Sequence, residues 1–141
     1  VEEKEARIEE VLAQVGLSTA VINRYPHEFS GGQQQRICIG RAIAMKPKML
    51  ICDEPLSSLD VSIQAQILNL FMDLKEKLKL SYLFITHDLT VARYVCDRIL
   101  VMHQGKIVEE GITEELFASP QHAYTKALLS AIPPQRPSRC T

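Results

Sequence analysis

Three short stretches carry residue types that could do chemistry. Met49-Leu50-Ile51-Cys52 is a continuous apolar run that ends in Asp53-Glu54. A carboxylate pair at the end of a buried strand suits a Mg²⁺-nucleotide site, because Mg²⁺ prefers oxygen ligands and keeps several waters. Asp53 would hold the metal, and Glu54 would orient and deprotonate an attacking water. The same pair also fits two capping carboxylates at a strand end. Ser30-Gly31-Gly32-Gln33 reads first as a capping box, S-x-x-Q, at a helix start. Two consecutive glycines are not needed for that, and they let backbone N–H groups approach an anion closely. A second apolar run, Tyr82-Leu83-Phe84-Ile85, ends in Thr86-His87. Taken singly, His87 also reads as a structural histidine, Asp60 as an N-cap, and Arg36 and Arg41 as solvated helix charges.

These stretches need elements to position them. Ile8, Val11, Leu12 and Val15 recur at helical spacing, so Glu2 to Val15 is expected to be a helix stopped by Gly16. A short helix over Ser18 to Asn23 and a connector at Tyr25-Pro26 lead to a helix from Ser30 to about Met45. The two apolar runs are expected to be strands buried on both faces of a parallel sheet. Between them a helix from Val61 to about Lys79, capped by Asp60, carries Ile63, Ile67, Leu70, Phe71, Leu74 and Leu78 on one stripe. A helix from Leu89 to Cys96 leads to a third strand, Ile99–Met102. It turns at Gln104-Gly105 into Lys106–Glu109, and Gly111 ends that strand. Thr113 is expected to cap a short helix, and a last helix spans about His122 to Ala131, before a proline-bearing tail over Pro133 to Pro137. Strands alternating with helices argue for a parallel α/β sheet with right-handed crossovers. In such sheets ligands bind beyond the carboxyl ends of the strands, where Asp53-Glu54 and Thr86-His87 would stand.

Composition narrows the classes. The chain has 141 residues, 46% hydrophobic and 23% charged, as in ordinary globular domains. Sixteen basic against seventeen acidic residues give a net charge of -1, with no electrostatic case for a nucleic-acid partner. No apolar run approaches the ~18 residues of a membrane helix. Cys38, Cys52, Cys96 and Cys140 form no C-x-x-C pair, so the first three are expected to pack as small apolar residues.

In combination, the motifs resemble those of ATP-binding-cassette ATPases. Phe29 to Arg36 is similar to the signature motif, and Met49 to Pro55 to the Walker B motif. Ser58-Leu59-Asp60 is similar to the D-loop, and Thr86-His87-Asp88 to the switch-histidine loop. Tyr25 to Glu28, Asp60 to Gln66 and Ser119 to Thr125 resemble the oligopeptide/dipeptide/nickel importer branch. The resemblance implies a P-loop NTPase-type, three-layer parallel sheet with part of the helical signature subdomain. Residues 1–45 would belong to that subdomain, 46–112 to the catalytic α/β core and 113–141 to a C-terminal helical extension.

It also implies roles. Asp53 would hold Mg²⁺, Glu54 would be the catalytic base, and His87 would contact the γ-phosphate and link it to the base. Ser30, Gly31, Gly32 and Gln33 would touch ATP held by an opposite subunit, and Asp60 would communicate across that interface. Implied partners are a second cassette, identical or paralogous, and membrane permease subunits, with a solute-binding protein beyond them. The implied place is the cytoplasmic face of the membrane. The chain contains no G-x-x-x-x-G-K-[ST] phosphate loop, which in this family lies upstream of the signature. The chain is therefore expected to be the C-terminal part of a cassette. A non-catalytic truncated cassette and a non-transport ATPase of the same class, as in DNA repair, are the alternative readings. An iron–sulfur centre at Cys140 would need further thiolates, which only a chain continuing past Thr141 could supply; otherwise Cys140 reads as an ordinary tail thiol.

Overall fold

The computed structural model describes residues 2–132; the expected tail at Pro133–Pro137 and Cys140 lie outside them. The chain divides into two compact units, one ending at Ile85 and one beginning at Thr86.

In the first unit, α1 (Glu2–Gln14) and α2 (Gly31–Ile43) pack together. Gly16 takes φ +70 after α1. Leu17 N–H bonds to the Leu12 carbonyl at 2.9 Å and Gly16 N–H to that of Ala13 at 3.1 Å, a Schellman ending. The two helices cap each other with arginines. Arg36 of α2 donates to the Val15 carbonyl at 2.8 Å, and Arg7 of α1 donates to the Ile43 carbonyl at 3.1 Å. Arg36 is therefore a clamp on a helix end and not the solvated charge its sequence position suggests. Gly40 lets the backbones approach: a Cβ there would sit 3.2 Å from Val11. Val11 and Val15 are buried as expected, but Ile8 of the same stripe is exposed. The segment expected as a helix over 18–23 shortens to a 3-10 turn at Thr19–Val21.

Strand β1 (Met49–Asp53) pairs in parallel with β2 (Ser81–Ile85), Ile51 opposite Leu83. The crossover is α3 (Val61–Leu78), closed by Lys79 in the left-handed region. Phe71 of α3 meets the rings of Tyr82 and Phe84 edge-on at 5.4 and 5.6 Å, and Ile67, Leu70 and Leu74 are buried beside it. The Tyr82 hydroxyl donates to the Phe71 carbonyl at 2.9 Å. Burial raises its pKa, with Cys52 adding to the effect. The strands are not buried on both faces. Met49 and Ile51 are 56% and 69% exposed, and Leu83 and Ile85 on the same face are also exposed. Alternation has period two, and α3 covers only the face of Leu50, Cys52, Tyr82 and Phe84.

The second unit begins with α4 (Leu89–Val95) and continues into an antiparallel hairpin, β3 (Arg98–His103) with β4 (Lys106–Ile112). Gln104 and Gly105 both have positive φ, the requirement of a two-residue turn that matches strand twist. Pairing shifts register between Val101 and Met102, and β4 runs through Gly111 to Ile112 instead of stopping earlier. The third strand thus pairs with β4 in a separate two-stranded sheet; the parallel sheet has two strands among the described residues. Next come α5 (Thr113–Ala118) and α6 (Ala123–Ser130). Thr113 does not cap α5: it is buried, and its hydroxyl donates to the Cys96 carbonyl at the end of α4. Ala92, Ile99, Val101 and Leu116 form the core of this unit.

Candidate functional site

The end of β1 is the centre of the candidate site. Asp53 is the last strand residue and is exposed. Glu54 follows in the left-handed region, φ +47. A non-glycine residue rarely sits there, and such strain gathers where surrounding structure fixes it. Here Glu54 N–H bonds to the Ile85 carbonyl at 2.9 Å, and the Glu54 carbonyl accepts from the Ser57 hydroxyl at 3.1 Å. The turn is thus held from both sides, and the chain is re-aimed from β1 towards α3.

Asp53 and Glu54 line an open groove of about 250 Å³. Its opposite wall is one stripe of α2, Gln35, Cys38, Ile39 and Ala42, at helical spacing. Cys52 lines it too, and burial pushes its thiol up to about 11. Cys38, expected to be packed as a small apolar residue, is exposed, because it stands on this open groove. Cys96 is intermediate.

The α2 N-terminus is built as the sequence pattern predicts. Ser30 Oγ accepts from Gln33 N–H at 3.3 Å, and Gln33 Oε1 accepts from Ser30 N–H at 3.1 Å. The two glycines differ. A Cβ on Gly32 would lie 2.7 Å from Ile63 Cγ2 of α3, so glycine is required there by packing. A Cβ on Gly31 would make an ordinary contact with Leu59 at 3.5 Å. Packing therefore explains a glycine that sequence reasoning assigned to ligand approach, and leaves Gly31 without a packing reason. Asp60 caps α3, accepting from Ile63 N–H at 3.0 Å.

His87 falls in the second unit, exposed, just before Asp88, which caps α4 through Thr90 N–H at 2.8 Å. The structure therefore brings Asp53 and Glu54 together on one groove with α2, and gives Ser30, Gln33 and Asp60 helix-capping bonds. Among the described residues no three His, Cys, Asp or Glu side chains cluster to hold a metal, and no helix is long and apolar enough to cross a membrane. Sequence reasoning missed the Arg36 clamp and the groove; the Gln35–Cys38–Ile39–Ala42 spacing was the available signal for the groove.

Residues 2–57 match the family model described as ABC transporter, and 108–140 match oligopeptide/dipeptide transporter, C-terminal region. The chain belongs to the ATP-binding-cassette transporter family. This cassette chain is 56% identical to the dipeptide transport ATP-binding protein DppF of Lactococcus lactis, over 96% of its own length and 43% of that protein. It is 53% identical to the oligopeptide transport ATP-binding protein OppF of Streptococcus mutans, over 96% and 44%. The chain thus spans less than half the length of these curated relatives. Among solved structures it is similar to cbiO1 of Clostridium perfringens, part of the ABC transporter complex cbiONQ. The TM-score is 0.76 and the identity 30%, over 83% of this chain and 46% of that one. The cassette MJ0796, a dimer in a post-hydrolysis state bound to ADP and Pi, gives 0.67 and 34%, over 79% and 48%.

Proposed function

We propose that this chain is the signature, Walker B and switch-histidine part of the ATP-hydrolysing subunit of a peptide importer. The observation that carries this reading is the β1 end. An exposed Asp53 and a left-handed Glu54 share a groove with the signature helix, in a chain 56% identical to a dipeptide transport ATP-binding protein. Within this reading, residues 1–45 belong to the helical subdomain, 46–112 to the catalytic core and 113–141 to a branch-specific extension.

The residues fit the groups they would meet. Asp53 offers a single exposed carboxylate, which suits Mg²⁺ held by one carboxylate, waters and substrate phosphate better than an all-protein cage. When bound, Mg²⁺ would neutralise charge on the phosphate oxygens. The Glu54 carboxylate takes a proton from the attacking water, so that the oxygen becomes a competent nucleophile. His87 orients phosphate and base. The α2 N-terminus, with Gly31 free of packing demands, receives the terminal phosphate of ATP held by a second cassette. Asp60, at the start of α3, reports across the same interface. Partners are that second cassette and membrane permease subunits, on the cytoplasmic face of the membrane, with a solute-binding protein upstream.

The test uses the protein expressed from its complete coding sequence with its permeases. Glu54→Gln should lower Mg-ATP turnover by about 10²–10⁴, the worth of a positioned base, while ATP still binds. Unchanged turnover would remove Glu54 from this role, and failure to co-purify with integral membrane subunits would remove the importer.

A further inference from the structure

We propose that Gln64, in the first turn of α3, is the positioning residue that aims the Glu54 carboxylate. This rests on the reading of Glu54 as the base and adds a residue that acts only through it. Residues 55–59 join the end of β1 to α3 as consecutive turns. Backbone carbonyls in such a segment belong to no helix or sheet ladder and need other partners. Two short turns supply some of them. Ser57 N–H bonds to the Glu54 carbonyl at 3.3 Å, and Leu59 N–H to the Leu56 carbonyl at 3.1 Å. Gln64 grips both ends of the second turn. Its side-chain amide donates to the Leu56 carbonyl at 3.0 Å and to the Leu59 carbonyl at 3.1 Å. The amide nitrogen carries two hydrogens, so it serves both carbonyls at once.

Both ends of this tie are fixed. On the helix side, Gln64 N–H bonds to the Asp60 carbonyl at 2.9 Å, and the Asp60 side chain accepts Ile63 N–H at 3.0 Å. On the loop side, Leu56 is buried, and the next residue, Ser57, donates from its hydroxyl to the Glu54 carbonyl at 3.1 Å. A path of bonds thus runs from Gln64 through the 56–57 turn to Glu54, all within the first unit. Glu54 needs such support. Its φ of +47 is disfavoured for a residue with a Cβ, and persists only where the surroundings over-determine it. A base must also stand within hydrogen-bond reach of the proton it takes, so a misaimed Glu54 would lose its role while still present. The residue type matters at position 64. A glutamate has the same shape but cannot donate to carbonyls while ionised, and a methionine has similar length but no donor. A glutamine serving only as surface would bond to water. This one is half-buried and reaches back over the N-terminus of its own helix to two loop carbonyls.

The test compares wild type with Gln64→Met, Gln64→Glu and Gln64→Lys in the protein from its complete coding sequence, with its partner cassette and permeases. Gln64→Met and Gln64→Glu should lower kcat for Mg-ATP about ten- to a hundredfold, the scale of a catalytic group slightly out of place, with KM for ATP unchanged. Gln64→Lys, whose ammonium keeps donors at similar reach, should recover most of the loss. Hydrogen exchange in the same samples should quicken at Ser57 and Leu59 and leave the middle of α3 protected. An unchanged kcat in Gln64→Met overturns the proposal, whatever its melting temperature does. A KM that rises at unchanged kcat overturns it too, and so does a Gln64→Lys protein as slow as Gln64→Met. If α3 loosens throughout, or the variants do not fold, Gln64 holds the helix and not the loop, and the proposal falls. A Glu54→Gln protein that turns over ATP like wild type removes the base reading itself, an outcome recognisable without any Gln64 variant.

Discussion

The two units of this chain solve the same problem by opposite means. In the first, β1 and β2 are 32 positions apart in register, Met49 against Ser81, and only the α3 crossover brings them together. In the second, β3 and β4 meet across a two-residue turn. Long-range pairing costs loop closure before any contact is gained, whereas a hairpin gains it locally. The left-handed residues show the same contrast. Gln104 and Gly105 take positive φ because a tight hairpin turn demands it. Glu54 takes it at the carboxyl end of a parallel strand, where no hairpin exists and where ligands of such sheets bind. The candidate carboxylates Asp53 and Glu54 thus stand in the unit whose strand pairing is hardest to form, whereas His87 stands in the unit closed by the local hairpin.

The contrast can be sharpened first at the seam of the first unit. Gly32→Ala forces a Cβ against Ile63 Cγ2 and should cost about 1–3 kcal/mol, the usual penalty of overpacking. Hydrogen exchange should show the loss in α2 and α3 and leave the β3–β4 hairpin protected. Ile63→Ala should relieve part of the clash in the double variant. Gly31→Ala should leave thermal stability nearly unchanged but weaken ATP affinity, if its backbone is approached by phosphate. A Gly31→Ala protein as unstable as Gly32→Ala would erase the distinction between a packing glycine and a ligand glycine.

A smaller effect separates the thiols of the first unit. Cys38 is exposed, whereas burial lifts the Cys52 thiol to about 11. Because the thiolate is the reactive form, an alkylating reagent at pH 8 should label Cys38 well before Cys52 in the native protein. Equal labelling, read by peptide mass spectrometry, would mean that the groove between α2 and β1 is open far more than the structure shows.

Much of this was legible in the sequence. Element order follows hydrophobic period and breakers, and the caps at Ser30 and Asp60 follow from residue type. The hairpin turn at Gln104-Gly105 was equally readable. What was not legible depends on contacts between distant residues. A run such as Met49–Cys52 reads the same whether one face or two are covered. Arg36 reads as a surface charge until α1 is laid beside α2. Thr113 looks like a cap until Cys96 supplies a carbonyl. The asymmetry of Gly31 and Gly32 exists only once Ile63 is in place. The candidate residues themselves were readable as residue types in order, but the groove joining Asp53 and Glu54 to α2 was not.

The least disruptive way to break the comparison lies in the second unit, where α6 is anchored by one carboxylate. Glu109 of β4 accepts Gln121 N–H at 2.7 Å and His122 N–H at 3.0 Å. The Gln121 bond is the main reason its pKa is held below the usual glutamate value. A carboxylate lowered by folding stabilises the fold above its ordinary range, about 4.3. That contribution fades as the pH falls through the ordinary value towards the lower folded one. Below that range the protection of the Gln121 and His122 amides, taken relative to the intrinsic exchange rate at each pH, should fall, while that of β1 and β2 follows its own course. Glu109→Gln keeps one acceptor oxygen but no charge, and should lower this protection already at neutral pH and leave it nearly unchanged on acidification. If the variant keeps the wild-type pH profile, α6 is held by its apolar face against the hairpin and not by Glu109. The stacked His103 and Tyr124 rings, 3.9 Å apart, are the contact that would then carry the anchoring.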